Sequence, residues 1–436
     1  MSEPPRKIRD LEVALTPVAS LKPGPSKART HSKKQITQIA KSIETFGWTN
    51  PILTDEENRV LAGQARLEAA KQMGLLTAPV IRLTDMTEAQ KRAYVLADNK
   101  LAELAGWDQA ALALEFKAII QIDAVFDLTD IGFETGEIDF AISEPNTTED
   151  RDEAEQKSEI DPDRPIVTRR GDVWQVGPHH LGCGDALILD DLARLMGDEA
   201  AAMVFTDVPY NLPISGFVSG HGAVTHDEFA MASGEMTEAQ FTDFLRKVMA
   251  NLVEATIPGS IHFHCVDWRH IYELLTAGRE AYTELKNICV WAKTNAGMGS
   301  LYRSQHELVA VFKNGTAPHI NHVELGRYGR NRSNVWTYAG VNTFGPERDN
   351  LAIHPTVKPV AMIEDAIMDC SDRGDAILDA FCGSGSTLIA AENTGRRGFG
   401  LEIEPKYVDA ALRRFRDLFG VEPVRVADGQ TLKQLE

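Results

Sequence analysis

The sequence predicts an α/β protein with two folded parts, a smaller one over residues 10–142 and a larger one over residues 166–425. From Ile166 onward, short apolar strands alternate with amphipathic helices, which is typical of a mostly parallel sheet covered by helices. Residues 143–165 are rich in Glu, Asp, Pro, Asn and Thr and have little to bury, which predicts a linker. A length of 436 residues fits two or three domains.

The smaller part begins with a predicted strand over residues 13–21. A helix follows, because apolar residues recur at helical spacing up to Phe46, and Gly47 ends it. Two strands, 51–53 and 59–62, flank a turn-forming segment, and a helix over 64–73 closes at Gly74. A more helical stretch follows from residue 87 to about 122. The pattern indicates a small α/β module.

The larger part is predicted from apolar runs of strand length that alternate with amphipathic segments. The predicted strands are 202–206, 260–265, 285–291, 308–312 and 376–381, and the predicted helices are 240–255 and 360–369. Their alternation favours a parallel sheet, whose ligands usually bind at the carboxyl ends of the strands.

Composition limits the classes of function. The net charge of -19 argues against a protein that coats nucleic acid non-specifically, because phosphate contacts need clustered Lys and Arg. Any DNA contact must therefore be local. Two basic segments could provide it or could be solvated faces. The first contains Lys22, Lys27, Arg29, Lys33, Lys34 and Lys41, and the second Arg327, Arg330 and Arg332.

Compartment and metal content are predicted from what the sequence lacks. No apolar run approaches the roughly 20 residues of a membrane span, and residues 1–10 lack the apolar stretch of a signal peptide, so a cytoplasmic protein is predicted. The five cysteines lie far apart and indicate reduced, buried thiols. His262 and His264 share one face of a predicted strand without a matching third ligand, so we interpret them as structural and predict no metal.

A glycine turn follows the predicted strand 376–381. Gly383 and Gly385 let a ligand approach bare backbone, and the next helix adds N–H donors. A dinucleotide fingerprint would need glycine at position 388, where this chain has Leu, and no G-K-[ST] follows. Glu402, one strand further on, is placed to hold a ribose hydroxyl pair. Together these residues indicate a cofactor that has a ribose but no phosphate.

A second group of polar residues follows the strand 202–206. Asp207, Val208, Pro209 and Tyr210 come at its carboxyl end, where open α/β sheets bind ligands. Taken alone, this is also the pattern of a strand followed by an ordinary proline turn. With the glycine turn, it resembles the D-P-P-Y and F-x-G-x-G motifs of amino-methyltransferases acting on DNA.

The resemblance extends over nearly the whole larger part. The blocks that carry it are Trp291-Ala-Lys-Thr-Asn, Tyr302-Arg-Ser-Gln-His-Glu, His354-Pro-Thr-Val-Lys-Pro and Glu402-Ile-Glu-Pro-Lys-Tyr. The catalytic motif precedes the cofactor motif, which is the permuted order of the family's beta group. Similarity to this group implies a Rossmann-like methyltransferase fold with a mostly parallel seven-stranded sheet. It also implies S-adenosylmethionine as cofactor, double-stranded DNA as partner, and target recognition within 313–353, by Arg327, Arg330 and Arg332.

The resemblance also implies residue roles. Asp207 and the carbonyl of Val208 would accept the hydrogens of a base amine, with Pro209 in the same motif, and Tyr210 would stack on a flipped base. Val208 stands where the family has its first proline, so we expect retained but reduced activity. The implied cofactor contacts are Asp379, Phe381, Gly383, Gly385, Glu402, Lys358 and Asp185. For Lys358 a surface lysine, and for Asp185 a helix N-cap, remain alternatives.

Residues from about 11 to 100 resemble the ParB-like nuclease-type module, through Ile52-Leu-Thr, Val60-Leu-Ala-Gly-Gln-Ala-Arg-Leu-Glu-Ala-Ala and Leu96-Ala-Asp-Asn-Lys. In that family a glycine-arginine block here can bind nucleotide phosphates, and Gly63 and Arg66 match it loosely. DNA contact or domain docking is the favoured role for the module.

For the whole chain we expect a site-specific DNA methyltransferase that modifies N6 of adenine. Cytosine N4 as the target, and a non-enzymatic ParB-like DNA-binding protein, are the alternatives. A homodimer and a companion restriction nuclease, as in restriction-modification systems, are left open as further partners.

Overall fold

The computed structural model describes residues 11–24, 30–103, 106–123, 126–142, 164–211, 234–293, 301–326, 330–338 and 358–436. They fall into two compact units that divide between Ile142 and Ser143. Several predictions fall on other residues. Outside the described residues lie the predicted linker up to residue 163, much of the interval 313–353, the block 354–357, and Lys27, Arg29 and Arg327.

The first unit is built on a four-stranded mixed sheet in the order β1-β4-β2-β3. Its strands are β1 (Val13–Pro17), β2 (Ile52–Thr54), β3 (Val60–Ala62) and β4 (Thr77–Arg82). β4 was not predicted, yet it is an inner strand that pairs antiparallel with β1 and parallel with β2. Its Pro79 has no N–H to donate, which makes the run look unlike a central strand.

Helices of the first unit cover this sheet and extend beyond it. They are α1 (Lys33–Phe46), α2 (Gln64–Gln72), α3 (Glu88–Glu103), α4 (Gln109–Ile122) and α5 (Thr135–Ile142). α1 begins after Ser32, whose hydroxyl accepts the N–H of Gln35, and it ends at Gly47 with φ 74°. This confirms the predicted end of the helix. Leu67 of α2 packs on Ile52 and Val60 of the sheet.

The second unit is built on a ten-stranded sheet in the order β11-β9-β10-β8-β7-β12-β13-β6-β5-β14. Its strands are β5 (Val173–Val176), β6 (His179–Cys183), β7 (Ala201–Asp207), β8 (Thr256–Val266), β9 (Glu284–Lys293), β10 (His306–Lys313), β11 (Val335–Tyr338), β12 (Ala376–Asp379), β13 (Arg397–Glu402) and β14 (Val424–Arg425). From β6 to β9, seven neighbouring strands run in one direction except β10. The mostly parallel sheet is confirmed, and β5, β14 and β11 extend the expected seven strands at the edges.

Helices cover both faces of this sheet. They are α6 (Leu189–Met196), α7 (Glu238–Glu254), α8 (Ile271–Ala281), α9 (Val360–Cys370), α10 (Ser386–Thr394), α11 (Pro405–Phe419) and α12 (Leu432–Leu435). In β7, Phe205 packs with residues of α9, α10 and α11. Val204, the residue before it, packs with residues of α6, α7 and α8. Because successive side chains of a strand point to opposite faces, the sheet is the middle of three layers.

Two expectations from composition can be compared with the described residues. No helix among them has both the length and the apolar character needed to cross a membrane. All five cysteines are free thiols, and four of them are buried, which agrees with the predicted reduced state.

Candidate active site

The carboxyl ends of three neighbouring parallel strands bring the predicted motifs together. β12 pairs with β7 through Leu378 and Val204, and with β13 through Asp379 and Gly400. Asp207, Asp379 and Glu402 are the last residues of β7, β12 and β13. The Thr206 hydroxyl donates to Asp379 Oδ1 over 3.0 Å, which joins the first two strand ends. The catalytic motif and the glycine turn therefore lie at the same edge of one sheet.

The glycine turn is held from two sides. Gly383 and Gly385 have φ values of 51° and 81°, which favour glycine. The Gly383 N–H donates to Glu402 Oε2 over 2.9 Å. From α11, the buried Arg414 guanidinium donates to the Ser384 carbonyl over 3.0 Å and to the Ser386 hydroxyl over 3.1 Å. The turn is therefore fixed by side chains from β13 and α11.

Two buried carboxylates flank this turn. Asp379 accepts hydrogen bonds from the Thr387 hydroxyl over 2.6 Å and from the Phe381 N–H over 3.1 Å. Burial raises the pKa of Asp379 to about 6, against the effect of these donors. Burial also raises the pKa of Glu402 to about 7, although Glu402 accepts the N–H groups of Glu404 and Gly383. Both groups therefore titrate close to neutrality.

The Asp207 carboxylate is engaged at both oxygens. Oδ1 accepts the Tyr210 hydroxyl over 2.6 Å, and Oδ2 accepts the Lys358 ammonium over 2.6 Å. The Tyr210 hydroxyl also lies 2.8 Å from Glu307 Oε2, and Lys293 donates to Glu307 Oε1 over 2.5 Å. The Lys358 ammonium lies 5.3 Å from the centre of the Tyr210 ring. Five side chains thus form one polar cluster around the predicted catalytic residue.

Burial raises the pKa of both carboxylates in this cluster, and the neighbouring lysines lower it. Burial raises the pKa of Asp207, Lys358 lowers it, and the nearby charge of Glu307 raises it. For Glu307, the effect of burial is outweighed by Lys358 and Lys293, which hold its pKa at about 2. The pKa of Asp207 is therefore shifted upward and that of Glu307 downward.

Sequence reasoning missed two members of this cluster and grouped a third with the cofactor. Lys293 is the last residue of β9, and Glu307 is the second residue of the antiparallel β10. Both lie in sequence blocks that were recognised by resemblance but were given no role. Lys358, predicted to contact the cofactor, contacts Asp207 and Glu307. A signal was available, because Lys and Glu at the ends of neighbouring strands are well placed to pair.

Val208 and Asn211 fix the backbone on the far side of Asp207. The Val208 side chain is 1% exposed and packs in the core under α7 and α8, so valine fills a place inside the fold. Asn211 accepts the N–H groups of Gly234 and Met236 and donates to the Met236 carbonyl over 2.8 Å. The motif is therefore held in place at both ends.

Asp185 lies in the turn after β6, whose last residue, Cys183, pairs with Glu402 of β13. Its carboxylate accepts the N–H of Leu187 over 2.9 Å. The alternative of a helix N-cap is wrong, since α6 begins after Ile188 and has no side-chain cap. Asp185 therefore lies one strand away from Glu402, and a cofactor contact stays a prediction.

Two of the predicted DNA-contacting arginines, Arg330 and Arg332, lie in the part of the chain that the structure describes, and both form ion pairs inside the second unit. Arg330 is buried and donates to Asp369 Oδ1 over 2.8 Å and to the carbonyl of Asp365 over 3.0 Å. Arg332 lies 2.8 Å from Asp365 Oδ2 and 3.1 Å from Asp369 Oδ2. Both arginines are thus neutralised by carboxylates of α9. Arg330 and Arg332 are therefore not unpaired cations on an exposed face. Arg327 lies outside the described residues, and DNA contact by this segment stays a prediction.

His262 and His264 are completely buried and contact the hydroxyl of Tyr282. Nδ1 of His262 and Nε2 of His264 both lie 2.9 Å from the Tyr282 hydroxyl. Burial lowers the pKa of His264 to about 3 and lowers that of His262 well below its usual value. These contacts agree with the structural interpretation of the pair.

The first unit contains a cavity of about 1070 Å³, bordered by Gly63, Arg66 and Asn99. Arg66 donates to the Asn50 carbonyl over 2.9 Å, and burial lowers its pKa. Asp98 and Glu68 also line the cavity. The glycine-arginine block singled out by the sequence therefore borders a pocket, whose lining carries charges of both signs.

Three family models match the chain. The DNA methylase model matches residues 201–413, the ParB-methyltransferase HTH domain model residues 110–170, and the ParB N-terminal domain model residues 3–100.

Similar proteins match either the first or the second part of the chain. The ParB-like nuclease domain-containing protein YnaK of Escherichia coli (strain K12) is 42% identical over 82 residues, which is 19% of this chain and 94% of YnaK. The type II methyltransferase M2.DpnII of Streptococcus pneumoniae is 29% identical over 228 residues, 50% of this chain and 84% of that protein. The DNA adenine methyltransferase YhdJ of Escherichia coli (strain K12) is 36% identical over 111 residues, covering 26% of this chain and 34% of YhdJ. Among solved structures, the M1.HpyAVI-SAM complex has a TM-score of 0.40 and 20% identity, covering 54% of this chain and 97% of that one.

Proposed function

Because the chain belongs to the ParB-like proteins in residues 3–100 and to the DNA methylases in residues 201–413, we propose that it is a site-specific DNA methyltransferase. Its target would be the exocyclic amine of a base turned out of the duplex. The observation that carries the proposal is the adjacency of Asp207 and the glycine turn at one edge of the sheet. This adjacency would let an acceptor amine and a methyl donor meet.

The residues beside the glycine turn fit S-adenosylmethionine, the methyl donor of this family. The turn offers two residues without Cβ and a buried carboxylate, Glu402, which can accept ribose hydroxyls. The turn lacks the lysine and the third glycine that phosphate binding would favour. Asp379, Phe381, Gly383 and Gly385 would hold the methionine part. When bound, the cofactor supplies an activated methyl group on a positively charged sulfur.

Asp207 and the Val208 carbonyl would orient the amine. The lone pair of an exocyclic amine is delocalised into the ring, so acceptors for its hydrogens are needed to direct the nitrogen at the methyl group. Fixed acceptors in a buried site act by positioning and by stabilising the charge that develops on the nitrogen. The Val208 carbonyl belongs to the backbone and survives the exchange of proline for valine. Tyr210 would lie against the flipped base.

Adenine is the favoured base within this proposal. Asp rather than Ser opens the catalytic motif, and a relative of the chain is named a DNA adenine methyltransferase. Methylation of cytosine N4 is the alternative. The proposed domains are a ParB-like unit over residues 10–142, a linker over 143–165 and a methyltransferase domain over 166–425. The ParB-like unit would contribute DNA contact or domain docking.

The test is transfer of labelled methyl groups from S-adenosylmethionine to unmethylated DNA of mixed sequence. Sequencing that separates N6-methyladenine from N4-methylcytosine then identifies the base and its neighbours. The matched control is Asp207→Asn, which keeps the shape of the side chain. Label incorporated by neither protein would refute the proposal, and label incorporated equally by both would refute the role of Asp207. Label incorporated only by the natural chain, as N4-methylcytosine, would move it to the alternative base.

A further inference from the structure

Glu307 of β10 shares two partners with Asp207. The Tyr210 hydroxyl lies 2.6 Å from Asp207 Oδ1 and 2.8 Å from Glu307 Oε2. The Lys358 ammonium lies 2.6 Å from Asp207 Oδ2 and 3.2 Å from Glu307 Oε2. With Lys293 on the other Glu307 oxygen, two carboxylates face two ammonium groups. Their charges cancel, which is what a mostly buried cluster requires.

This arrangement presents a conflict for the proposed reaction. A base amine needs to donate to Asp207, and each Asp207 oxygen already accepts one strong donor, so the amine must either share an oxygen with that donor or displace it. Lys358 is 5% exposed and cannot simply move into water. The carboxylate that can receive its ammonium without leaving a buried charge unpaired is Glu307. At 3.2 Å, their contact is longer than the roughly 2.7–2.9 Å of a strong charged hydrogen bond and has room to tighten.

We propose that Glu307 is a positioning residue of the methyl-transfer site, which takes over the Lys358 ammonium and the Tyr210 hydroxyl when a base amine binds the Asp207 carboxylate. The inference rests on the proposed function. Before a base enters, the Lys358 ammonium occupies one acceptor site of the Asp207 carboxylate. Glu307 therefore controls how readily Asp207 becomes free to accept the base.

The two partners of Asp207 have opposite electrostatic effects on it. Lys358 lowers the pKa of Asp207, and Glu307 raises it. In Glu307→Gln, the Lys358 ammonium has Asp207 as its main anionic partner and stays there. In Lys358→Met, two buried carboxylates share the single ammonium of Lys293, and Asp207 holds a proton to higher pH. The double variant is electrically balanced again, with Asp207 and Lys293 left.

The experiment compares pH profiles of methyl transfer to unmethylated mixed-sequence DNA. For the natural chain, transfer rises with pH as Asp207 ionises, because the ionised carboxylate is the acceptor. Glu307→Gln should move this rise to lower pH and reduce kcat by about tenfold or more on the plateau. Lys358→Met should move the rise upward by about one pH unit or more, so that activity lost at the pH of the natural rise returns at higher pH. Lys358→Met/Glu307→Gln should return the rise towards its natural position without restoring kcat.

A neutralised glutamate outside the site provides the control. Glu280→Gln removes an exposed ion pair with Arg246 and should leave both the profile and kcat unchanged. Thermal unfolding of each variant checks that it folds, and the charge-balanced double variant carries the comparison if Lys358→Met does not. Profiles that fail to shift, or shift in the same direction, would overturn the role of Glu307 while leaving the proposed function standing. If the natural chain transfers no methyl group at any pH, the proposed function and this inference fail together.

Discussion

Replacing Arg330 by methionine should destabilise the second unit rather than weaken DNA binding specifically. The Arg330 side chain is 7% exposed, and that of Asp369 is 9% exposed. Two nitrogens of the guanidinium donate to Asp369 Oδ1, over 2.8 Å and 3.2 Å. Methionine fills a similar volume but leaves the buried carboxylate without this partner. The sequence alone predicted the opposite role for Arg330, a contact with DNA.

The expected loss of stability follows from the geometry. Removing one partner of a buried ion pair costs about 3–5 kcal/mol. Arg332 remains 3.1 Å from the other Asp369 oxygen, so part of the charge stays compensated. We therefore expect a loss near the lower end, about 3 kcal/mol. Burial raises the pKa of Asp369 and Arg330 lowers it, so the loss of Arg330 raises that pKa further in the folded variant. The deficit should therefore shrink as the pH falls and the carboxylate left behind takes up a proton.

Thermal unfolding of the full chain measures this loss. In a unit of this size each kcal/mol lowers the unfolding temperature by about 2 °C, so Arg330→Met should unfold about 6 °C lower. The control is Arg246→Met, which removes an exposed pair with Glu280 and should leave the unfolding temperature nearly unchanged. An unchanged unfolding temperature together with weaker DNA binding would refute the reasoning and restore the original interpretation of Arg330.

Three further predictions concern the strand ends. Gly385→Ala places a Cβ about 3.0 Å from the Ala411 Cβ at a φ of 81°. The substitution should lower the free energy of unfolding by about 1–3 kcal/mol and weaken cofactor binding. Thermal unfolding with and without S-adenosylmethionine measures both effects. Burial raises the pKa of Glu402 to about 7, so calorimetry should show cofactor affinity rising from pH 6 to pH 8, and Glu402→Gln should remove that rise. Val208→Pro should keep methyl transfer and leave it equal to or above that of the natural chain; transfer seen only in the variant would mean that the natural chain is a silent binder.

The sequence predicted those parts of the fold that are locally apolar. β7, β10 and α7 appear as apolar runs or helical periodicity, and their positions agree with the structure within a few residues. β6 was missed because its sequence, His-His-Leu-Gly-Cys, has no apolar run. His179 is buried there because its ring lies 2.7 Å from Glu392 Oε2 and 2.8 Å from the N–H of Gly398. Such partners lie more than 200 residues away, beyond the reach of local patterns.

The site shows the same division. Asp207 and the glycine turn were predicted to meet because both follow strands of one parallel sheet, and that adjacency is confirmed. Lys293 and Glu307 were assigned no role because a charged residue at the end of a strand usually faces water. Their cluster with Lys358 exists because β9, β10 and the start of α9 converge there. The ion pairs of Arg330 and Arg332 were not predicted for a related reason, since a sequence does not reveal that α9 supplies their carboxylates.

The hydrogen bonds from Arg414 to the glycine turn affect the entropy of cofactor binding. A backbone already fixed by α11 gives up little conformational entropy when a small molecule settles against it, so more of the contact energy appears as affinity. Substitution of Arg414 should therefore lower the affinity for S-adenosylmethionine without changing which atom receives the methyl group.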